Sequence, residues 1–284
     1  MMAILKRYVA LCGGLGNQMF QYAYYMLLKQ KTNDVCMFIP SSKWEHEGGF
    51  ELHRVFGIAH SRTKWETLYQ LGFPFTKLFH VIHKTYSGHN FKFDEKDLMP
   101  GKSYRYFYGT WQSEKYILDA DIIRNAFKFN ESKLSPETAK IAKSLRGGVI
   151  TCSIHIRRGD YLSSAFIGGF GSCCPLEYYQ QSIEYIRKNI CNNVTFILFS
   201  DDIKWVKENL KLENAIYVNH NQGTDSWQDM YLMSLCNHNI IANSTFSWWG
   251  AWLNKHKDKT VIAPKRWWST IENDDVVPKS WIRI

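Results

Sequence analysis

Between residues 149 and 263, short apolar segments alternate regularly with amphipathic segments, and this alternation constrains the fold more than any other feature of the sequence. The apolar segments are predicted to be strands at 149–156, 194–199, 215–218, 239–242 and 260–263. The segments between them are predicted to be helices at 175–189, 204–210, 227–236 and 246–254. Strands that alternate with helices form parallel sheets. The second half of the chain is therefore predicted to be a doubly wound α/β domain.

The first forty residues predict a βαβ unit. A strand over 8–12 leads through the turn Gly13-Gly-Leu-Gly-Asn17 into a helix that runs to about Gln30, and a second strand over 35–39 follows. The stretch up to residue 145 is less regular, with one helix near 118–127. We therefore predict two Rossmann-like domains, an N-terminal one over 1–145 and a C-terminal one over 146–284.

The composition excludes several classes of protein. Hydrophobic residues make up 45% of the 284 residues and charged residues 21%, which excludes a disordered or fibrous chain. No apolar run reaches the roughly 18 residues of a membrane-spanning helix. The seven cysteines are scattered without a CxxC pair, which favours a reducing compartment. The sequence therefore predicts a cytoplasmic protein.

The charge of the chain favours an anionic partner. There are 35 Lys and Arg against 26 Asp and Glu, a net charge of +9. Such an excess is typical of proteins that bind nucleotides, nucleic acids or membrane surfaces, although it can serve solubility alone. A nucleic-acid-binding module is a distant alternative, because the basic residues are dispersed and no motif of that class is present. Peripheral contact with the inner face of a membrane is compatible with the same charge.

Polar side chains follow four of the predicted strands, and the carboxyl ends of parallel strands are where such sheets bind ligands. The residues that follow them are Gly14, Gly16 and Asn17; His155, Arg157, Arg158, Asp160 and Tyr161; Asp201 and Asp202; and Asn243, Ser244, Thr245 and Ser247. If the strands are predicted correctly, the clusters of the C-terminal half converge on one crevice.

Each cluster has a chemical and a structural interpretation. An arginine at a strand end can bind a pyrophosphate with two N–H groups, or it can pair with Asp160. The segment 243–247 begins a helix, so it can bind an anion through N–H groups and hydroxyls, or it can simply cap the helix. Asp201 and Asp202 can accept hydrogen bonds from a nucleoside, or they can be carboxylates at a helix start.

Three further patterns carry less weight. The glycine turn lacks GxxxxGK[ST], and Met19 stands where a dinucleotide fingerprint has its third glycine, but the turn still allows close approach of the backbone to a ligand. Asp119-Ala-Asp121 matches the metal-binding DxD pattern. Because it lies in a predicted helix, its two carboxylates are expected to be on the solvent-exposed face of that helix. His80 and His83 are too isolated to indicate a zinc site. We therefore predict no metal site and no cofactor.

Taken together, four stretches resemble glycosyltransferase family 11, the GDP-fucose-dependent alpha-1,2-fucosyltransferases. They are GGLGNQMFQYA at 13–23, YFYGTWQSEKYI at 106–117, HIRRGDY at 155–161 and NSTFSWWGAWL at 243–253, in the order of the family. The resemblance implies a GT-B fold, in which two Rossmann-like domains face each other across a cleft and the C-terminal one binds the donor.

The same resemblance implies inverting, metal-independent transfer of L-fucose from GDP-fucose to the 2-hydroxyl of a galactoside in a glycan. The donor is a co-substrate rather than a cofactor. A fucosyltransferase of another linkage, or one that uses another GDP-sugar, is the alternative.

The resemblance also implies roles for the strand-end residues. Arg158 would be the main pyrophosphate ligand, with Arg157 in support, and His155 and Asp201 would hold the nucleoside. Independently of the resemblance, the proximity of Asp160 to the two arginines makes it the candidate for the base, or else a residue that orients Arg157 or Arg158. The remaining donor-binding residues would be Gly14, Gly16, Asn17, Asp202, Asn243, Ser244, Thr245 and Ser247.

The acceptor site is less clear from the sequence. Tyr161 and Trp111 are the weak candidates for acceptor binding. Further rings are expected mostly in the core, with one or two against sugar; they belong to Trp44, Trp65, Tyr104, Tyr106 and Tyr108. Trp248 and Trp252, four residues apart, are expected to pack their helix against the sheet.

Overall fold

A computed structural model of the chain describes residues 6–41, 49–88, 91–164, 167–272 and 274–284. Its contacts divide the chain into two compact units, Met1–Phe129 and Asn130–Ile284. Both units are built around parallel sheets. Trp44 lies outside the described residues, so its expected role has no structural counterpart here.

The N-terminal unit has a four-stranded parallel sheet. Its strands are β1 (Arg7–Ala10), β2 (Val35–Phe38), β3 (Thr85–Ser87) and β4 (Tyr106–Tyr108). Its helices are α1 (Leu15–Lys31), α2 (Glu51–Phe56), α3 (Lys64–Gln70), α4 (Phe75–Ile82), α5 (Glu95–Leu98) and α6 (Ala120–Ala126). The spatial order is β2-β1-β4-β3, so the chain leaves β1 on one side towards β2 and returns to its other side with β4. The predicted βαβ unit is confirmed, whereas β3 and β4 were not predicted.

One face of this sheet is packed with aromatic rings. Tyr8, Phe38, Phe79 and Tyr106 are buried, and Trp65 packs against them with its ring centroid 5.9 Å from that of Phe79. Since each large ring removes 150–250 Å² of apolar surface from water, these rings stabilise a sheet of short strands. Tyr106 and Trp65 are therefore packing residues, as expected for most of the rings in this region.

His83 belongs to the same packing. Its ring stacks on Phe79 at 4.3 Å between centroids, and burial lowers its pKa below the usual histidine value. Asp119 is the N-cap of α6 and accepts hydrogen bonds from the backbone N–H groups of Asp121 and Ile122 at 3.0 and 2.9 Å. The DxD pattern is therefore a helix cap.

A second aromatic cluster lies where β4 ends. The ring of Trp111 is fully buried and stacks on that of Tyr24 at 3.9 Å between centroids. Gly88 and Gly109 lie directly against it, because a Cβ built on Gly88 would be 2.6 Å from the indole and one on Gly109 would be 3.2 Å from it. Trp111 itself has a φ of +43°, in the left-handed region that side chains rarely adopt. The loop after β4 is thus shaped around one large ring.

The C-terminal unit has a six-stranded parallel sheet. Its strands are β5 (Thr151–Ile156), β6 (Thr195–Ser200), β7 (Ala215–Val218), β8 (His238–Ile240), β9 (Val261–Ala263) and β10 (Ile282–Arg283). Its helices are α7 (Pro136–Leu145), α8 (Leu176–Asn189), α9 (Ile203–Asn209), α10 (Trp227–Leu235) and α11 (Thr245–Leu253). The five predicted strands and the helices between them are confirmed, and β10 is the addition.

The order of these strands locates a crevice. The spatial order is β10-β9-β8-β5-β6-β7, so the chain moves from β5 outward through β6 and β7, then returns to the other side of β5 with β8. In open α/β sheets, ligands bind outside the carboxyl ends of the strands where the order reverses. That point lies between β5 and β8 in this unit.

All of β5 is buried, and α11 is buried over most of its length and contacts α10. Trp248 and Trp252 stack nearly parallel, 10° apart, and Trp248 Nε1 donates to the carbonyl of Val276 at 2.7 Å. Gly250 allows close packing of α11 on α10, since a Cβ there would be 2.9 Å from the Met233 Cβ. The tryptophans of this helix are therefore packing residues, and their contacts include one another, Trp281 and Val276.

The boundary between the units differs from the expected one. The sequence places residues 130–145 in the N-terminal domain, but in the structure α7 contacts α10. Thr138 in α7 donates to Asn221 Oδ1 at 3.0 Å, and the backbone N–H of Ser135 donates to Gln228 Oε1 at 2.8 Å. These hydrogen bonds span more than eighty residues, which no local pattern reveals. The expected domains 1–145 and 146–284 are corrected accordingly.

Candidate functional site

The carboxyl end of β5 holds two arginines whose side chains go to different partners. Arg157 Nε donates to Asp160 Oδ1 at 2.9 Å, and its Nη1 lies 3.2 Å from Asp201 Oδ2. Its guanidinium is also 5.7 Å from the centroid of the Tyr161 ring. Two carboxylates and a ring therefore fix Arg157 in position.

Arg158 turns towards α9 instead. Its Nε donates to Asp202 Oδ2 at 3.1 Å, and its guanidinium lies over the Trp205 ring at 3.7 Å from the centroid. Asp202 is at the same time the N-cap of α9, because its Oδ1 accepts from the backbone N–H of Trp205 at 3.2 Å. That backbone hydrogen bond, followed by the pairing with Arg158, lowers the pKa of Asp202. Arg158 is thus attached to the β6 side of the sheet.

Asp201 connects the two strand ends. Its Oδ1 accepts from the backbone N–H of Arg158 at 2.9 Å while its Oδ2 faces Arg157. A side chain at Gly159 would collide with it, since a Cβ built there would be 2.8 Å from Asp201 Oδ2. The glycine at 159 therefore allows the carboxylate to approach the turn. Asp201, expected at the nucleoside, is engaged with the turn itself.

His155 is the penultimate residue of β5 and points to the opposite face of the strand from the core residues Ile154 and Ile156. It is 7% exposed, and burial together with the charge of Arg157 lowers its pKa to about 3. The ring is therefore neutral at physiological pH. Its Nδ1 is buried and has no hydrogen-bond partner among the described residues. Because an unpartnered buried polar atom costs free energy, this nitrogen is suited to a hydrogen bond from a ligand.

The start of α11 lies at the carboxyl end of β8, beside β5. Ser244 is the N-cap residue, but its side chain makes no capping hydrogen bond. N–H groups of a first helical turn attract anions. Ser244 and Thr245 therefore lie at a helix start that follows the strand paired with β5.

Two other residues of this segment are not available as expected. Asn243 is 1% exposed, and its Nδ2 donates to the carbonyls of Phe170 and Trp267 at 3.0 and 3.1 Å. The Ser247 hydroxyl is also buried and donates to the carbonyls of Ala242 and Ser244. The assignment of both side chains to donor binding is corrected, because their polar atoms bond to the protein.

Tyr161 links the arginine turn to the same loop. Its hydroxyl donates to the carbonyl of Asn243 at 3.0 Å, and its ring stacks on Phe170 at 5.0 Å between centroids. This contact joins the residues after β5 to those after β8, and the Tyr161 ring lies 5.7 Å from the guanidinium of Arg157, which also pairs with Asp201 at the end of β6. Tyr161, a candidate for acceptor binding, is a structural link here.

The glycine turn of the N-terminal unit lies at the equivalent point of its own sheet, between β1 and β4. Gly14 precedes the helix α1 and Gly16 is buried within its first turn. Asn17 Oδ1 accepts from Gln112 Nε2 at 3.0 Å, and Gln21 Nε2 donates to the carbonyl of Gly109 at 3.1 Å. Side chains of α1 thus bind the loop after β4.

Trp111 does not present its ring to a ligand. The ring is 0% exposed, so its assignment to the acceptor is corrected and it is a core residue. The sequence also gave no indication of Trp205, which covers Arg158, or of Gln21 and Gln112. The one signal that could have identified Trp205 is its position three residues after Asp202, since the third residue of a helix commonly donates to its N-cap.

The described residues contain neither a cluster of metal ligands nor a membrane-spanning helix. In those parts of the chain, no three or more His, Cys, Asp or Glu side chains converge as metal ligands would. Among the same residues, no helix combines the length and apolar character that crossing a bilayer requires.

Comparison with known proteins gives a family match over the whole chain. The model of glycosyl transferase family 11 matches residues 3–284. An O-antigen biosynthesis glycosyltransferase, WbnK of Escherichia coli, is 33% identical over 98% of this chain and 100% of its own length. An alpha-1,2-colitosyltransferase of the same organism is 33% identical over 96% and 97%. Human galactoside alpha-(1,2)-fucosyltransferase 1 is 26% identical over 85% of this chain and 63% of its own length.

Solved structures agree on the fold. The fucosyltransferase NodZ from Bradyrhizobium has a TM-score of 0.50 and 12% identity, over 86% of this chain and 92% of its own. At this identity the likeness concerns the fold alone, and it confirms the expected α/β fold of the GT-B type.

Proposed function

The chain belongs to glycosyl transferase family 11 and is therefore a glycosyltransferase, and we propose that it transfers L-fucose from GDP-fucose to the 2-hydroxyl of a galactoside in a glycan. The observation that carries this proposal is Arg157, which Asp160 and Asp201 fix at the carboxyl end of β5, the strand next to the one that leads into α11. The linkage is supported by the two relatives whose names state an alpha-1,2 transfer.

Charge development explains why such a site would accelerate the transfer. As the bond between fucose and GDP breaks, the sugar becomes cationic and the β-phosphate gains negative charge. Fixed N–H donors aimed at that phosphate stabilise the transition state more than the ground state. Arg157 and the first N–H groups of α11 are proposed as those donors. We assign the main role to Arg157 rather than Arg158, because Arg158 is turned towards α9.

Asp160 is proposed to orient Arg157 rather than to act as the base. It accepts from Arg157 Nε at 2.9 Å and is half exposed, as expected of a residue that fixes a guanidinium. His155, neutral and with a free Nδ1, is proposed to accept a hydrogen bond from the nucleoside.

Colitose is the second candidate for the transferred sugar. The alpha-1,2-colitosyltransferase is as similar to this chain as WbnK is, at 33% identity over nearly the whole chain. Colitose differs from fucose only in lacking the 3-hydroxyl. A site built to bind that hydroxyl would discriminate strongly against the sugar without it.

The transfer assay tests both candidates together. The purified chain is incubated with GDP-fucose or GDP-colitose and an array of galactose-terminated glycans, with the Arg157→Ala variant as the matched inactive control. We expect a fucosylated product whose linkage, determined by NMR, is alpha-1,2. Efficient transfer of colitose alone would show that the donor is GDP-colitose rather than GDP-fucose. An alpha-1,3 or alpha-1,6 product would contradict the proposed alpha-1,2 linkage.

For location, we propose a cytoplasmic enzyme that makes peripheral contact with a membrane. The net charge of +9 supports contact with an anionic surface. We also propose that the transfer needs no metal or cofactor, since arginine would neutralise the leaving diphosphate.

A further inference from the structure

The helix α4 and the turn that precedes it carry an apolar surface that the proposed transfer does not use. Five large apolar side chains within twelve residues are exposed, with Phe73 at 79% and Val81 at 75%. We call this the α4 surface; its members are Leu71, Phe73, Leu78, Val81 and Ile82. Soluble proteins rarely expose apolar side chains in one continuous group unless the group binds something.

This surface is not needed to hold α4 in place. The opposite side of the helix carries Phe79, which is 0% exposed and packs on Phe38 and Tyr106. Leu78, Val81 and Ile82 stand at positions i, i+3 and i+4, so they share the solvent face of the helix. The helix is therefore anchored on one side and apolar on the side that faces solvent.

Basic residues flank the α4 surface. In residues 58–88, all of which are described, the lysines and arginines are Arg62, Lys64, Lys77 and Lys84, and each is exposed. The acidic residue of this stretch, Glu66, is 2% exposed and bonded to His60 at 2.9 Å. No carboxylate of the segment is therefore available to neutralise the exposed cations.

We propose that the α4 surface docks on an anionic phospholipid bilayer. Phe73, Leu78 and Val81 enter the boundary between headgroups and acyl chains, and the flanking lysines contact the headgroup phosphates. Apolar side chains bordered by Lys and Arg on a short helix are suited to lying in this interface. Each basic residue near an anionic leaflet adds to the attraction. This inference specifies where the proposed membrane contact lies and is independent of the donor and acceptor.

Vesicle co-sedimentation tests the proposal without any substrate. The full chain is mixed with vesicles of phosphatidylcholine alone, or with about a third phosphatidylglycerol, at low and at physiological salt. We expect sedimentation with the anionic vesicles that weakens as salt rises. The double variant Phe73→Ser/Val81→Ser should bind at least tenfold more weakly.

Matched controls separate the surface from general effects. Met99 and Leu118 are 78% and 50% exposed but lie outside α3 and α4, so Met99→Ser/Leu118→Ser should bind within twofold of the unmodified chain. Lys64→Glu/Lys77→Glu should weaken binding to anionic vesicles, whereas Lys128→Glu/Lys140→Glu, also at exposed positions, should change it less. All variants should keep their circular dichroism spectrum and their transfer to a water-soluble acceptor.

Three results would overturn the proposal. One is that the unmodified chain sediments with neither kind of vesicle. Another is that Phe73→Ser/Val81→Ser binds as well as Met99→Ser/Leu118→Ser. The third is that the unmodified chain does not bind vesicles but is a dimer in size-exclusion chromatography, while Phe73→Ser/Val81→Ser is a monomer. The α4 surface would then bind a second copy of the chain instead of a membrane. If the unmodified chain showed no transfer activity, by contrast, the proposed function would be contradicted and the membrane proposal would stand.

Discussion

The two arginines after β5 allow a matched pair of conservative substitutions, Arg157→Lys and Arg158→Lys, for which we expect different results. Arg157 uses two nitrogens on two carboxylates, at 2.9 and 3.2 Å, and keeps further N–H groups for a ligand. Lysine has a single nitrogen, so it cannot bind Asp160 and Asp201 and also donate to a leaving phosphate.

The expected magnitudes follow from these contacts. Removing one donor to a developing negative charge costs roughly 3–4 kcal/mol, so Arg157→Lys should lower kcat about a hundred- to a thousandfold. Arg158 makes a partly exposed ion pair with Asp202 and a stacking contact with Trp205. Each such contact contributes about 0.5–1 kcal/mol, and lysine keeps part of both. Arg158→Lys should therefore keep kcat within about fivefold of the unmodified enzyme.

The assay is steady-state transfer at saturating acceptor with GDP-fucose varied, together with the dissociation constant of GDP from calorimetry. The loss in Arg157→Lys should appear mainly in kcat, because the added phosphate charge exists only as the bond breaks. A kcat for Arg158→Lys as low as that for Arg157→Lys would refute the assignment of roles. So would an Arg157→Lys enzyme that keeps more than about a tenth of its turnover.

Three further predictions concern the metal, the pH and the loop around the site. Transfer should persist in excess EDTA; activity that is lost and then restored by manganese would contradict the metal-independent mechanism. Burial raises the pKa of Asp229 to about 7, although its hydrogen bond from Asn221 acts in the opposite direction. The folded chain therefore binds a proton that the unfolded chain does not bind, and this proton stabilises the fold at low pH. The contribution is lost as the pH rises through 7. Urea unfolding should therefore show Asp229→Asn gaining about 3 kcal/mol relative to the unmodified chain between pH 5 and pH 8, and a pH-independent difference would contradict this. Asn243→Ala leaves two carbonyls without their donor and should lower the free energy of unfolding by roughly 2–4 kcal/mol; a change in melting temperature under 2 °C would show that other donors replace it.

The regular part of the fold was predictable because five of the six strands of the C-terminal sheet lie in or overlap apolar segments that alternate with helices. The segment 215–218 shows this best, since the predicted and observed strand β7 coincide. By contrast β10 has two residues, and β3 and β4 have three each. Strands this short carry no measurable periodicity. The strands β8 and β9, also three residues long, were predictable because the apolar segments around them fall in the regular alternation with helices, whereas β3, β4 and β10 lie outside that alternation.

The site was predictable to the same extent. Strand ends indicated which residues gather near the crevice, because that follows from topology alone. They did not indicate the direction of each side chain. Arg157 and Arg158 are adjacent in sequence, and their different roles depend on Asp201, Asp202 and Trp205, more than forty residues away. The sequence likewise predicts that Asn243 binds the donor, because the two carbonyls that its side chain contacts, those of Phe170 and Trp267, belong to distant loops.

The packing of Gly88 and Gly109 around the Trp111 ring has an evolutionary consequence. With the indole in place, any side chain at Gly88 would overlap it, so that position can change only after Trp111 has become smaller. A smaller residue at 111 would first leave a cavity beside Tyr24 and would keep the unfavourable positive φ. Each single step is therefore harmful, although a combined change could be tolerated. The three positions should covary in related sequences, and libraries that randomise them one at a time should recover mainly the present residues.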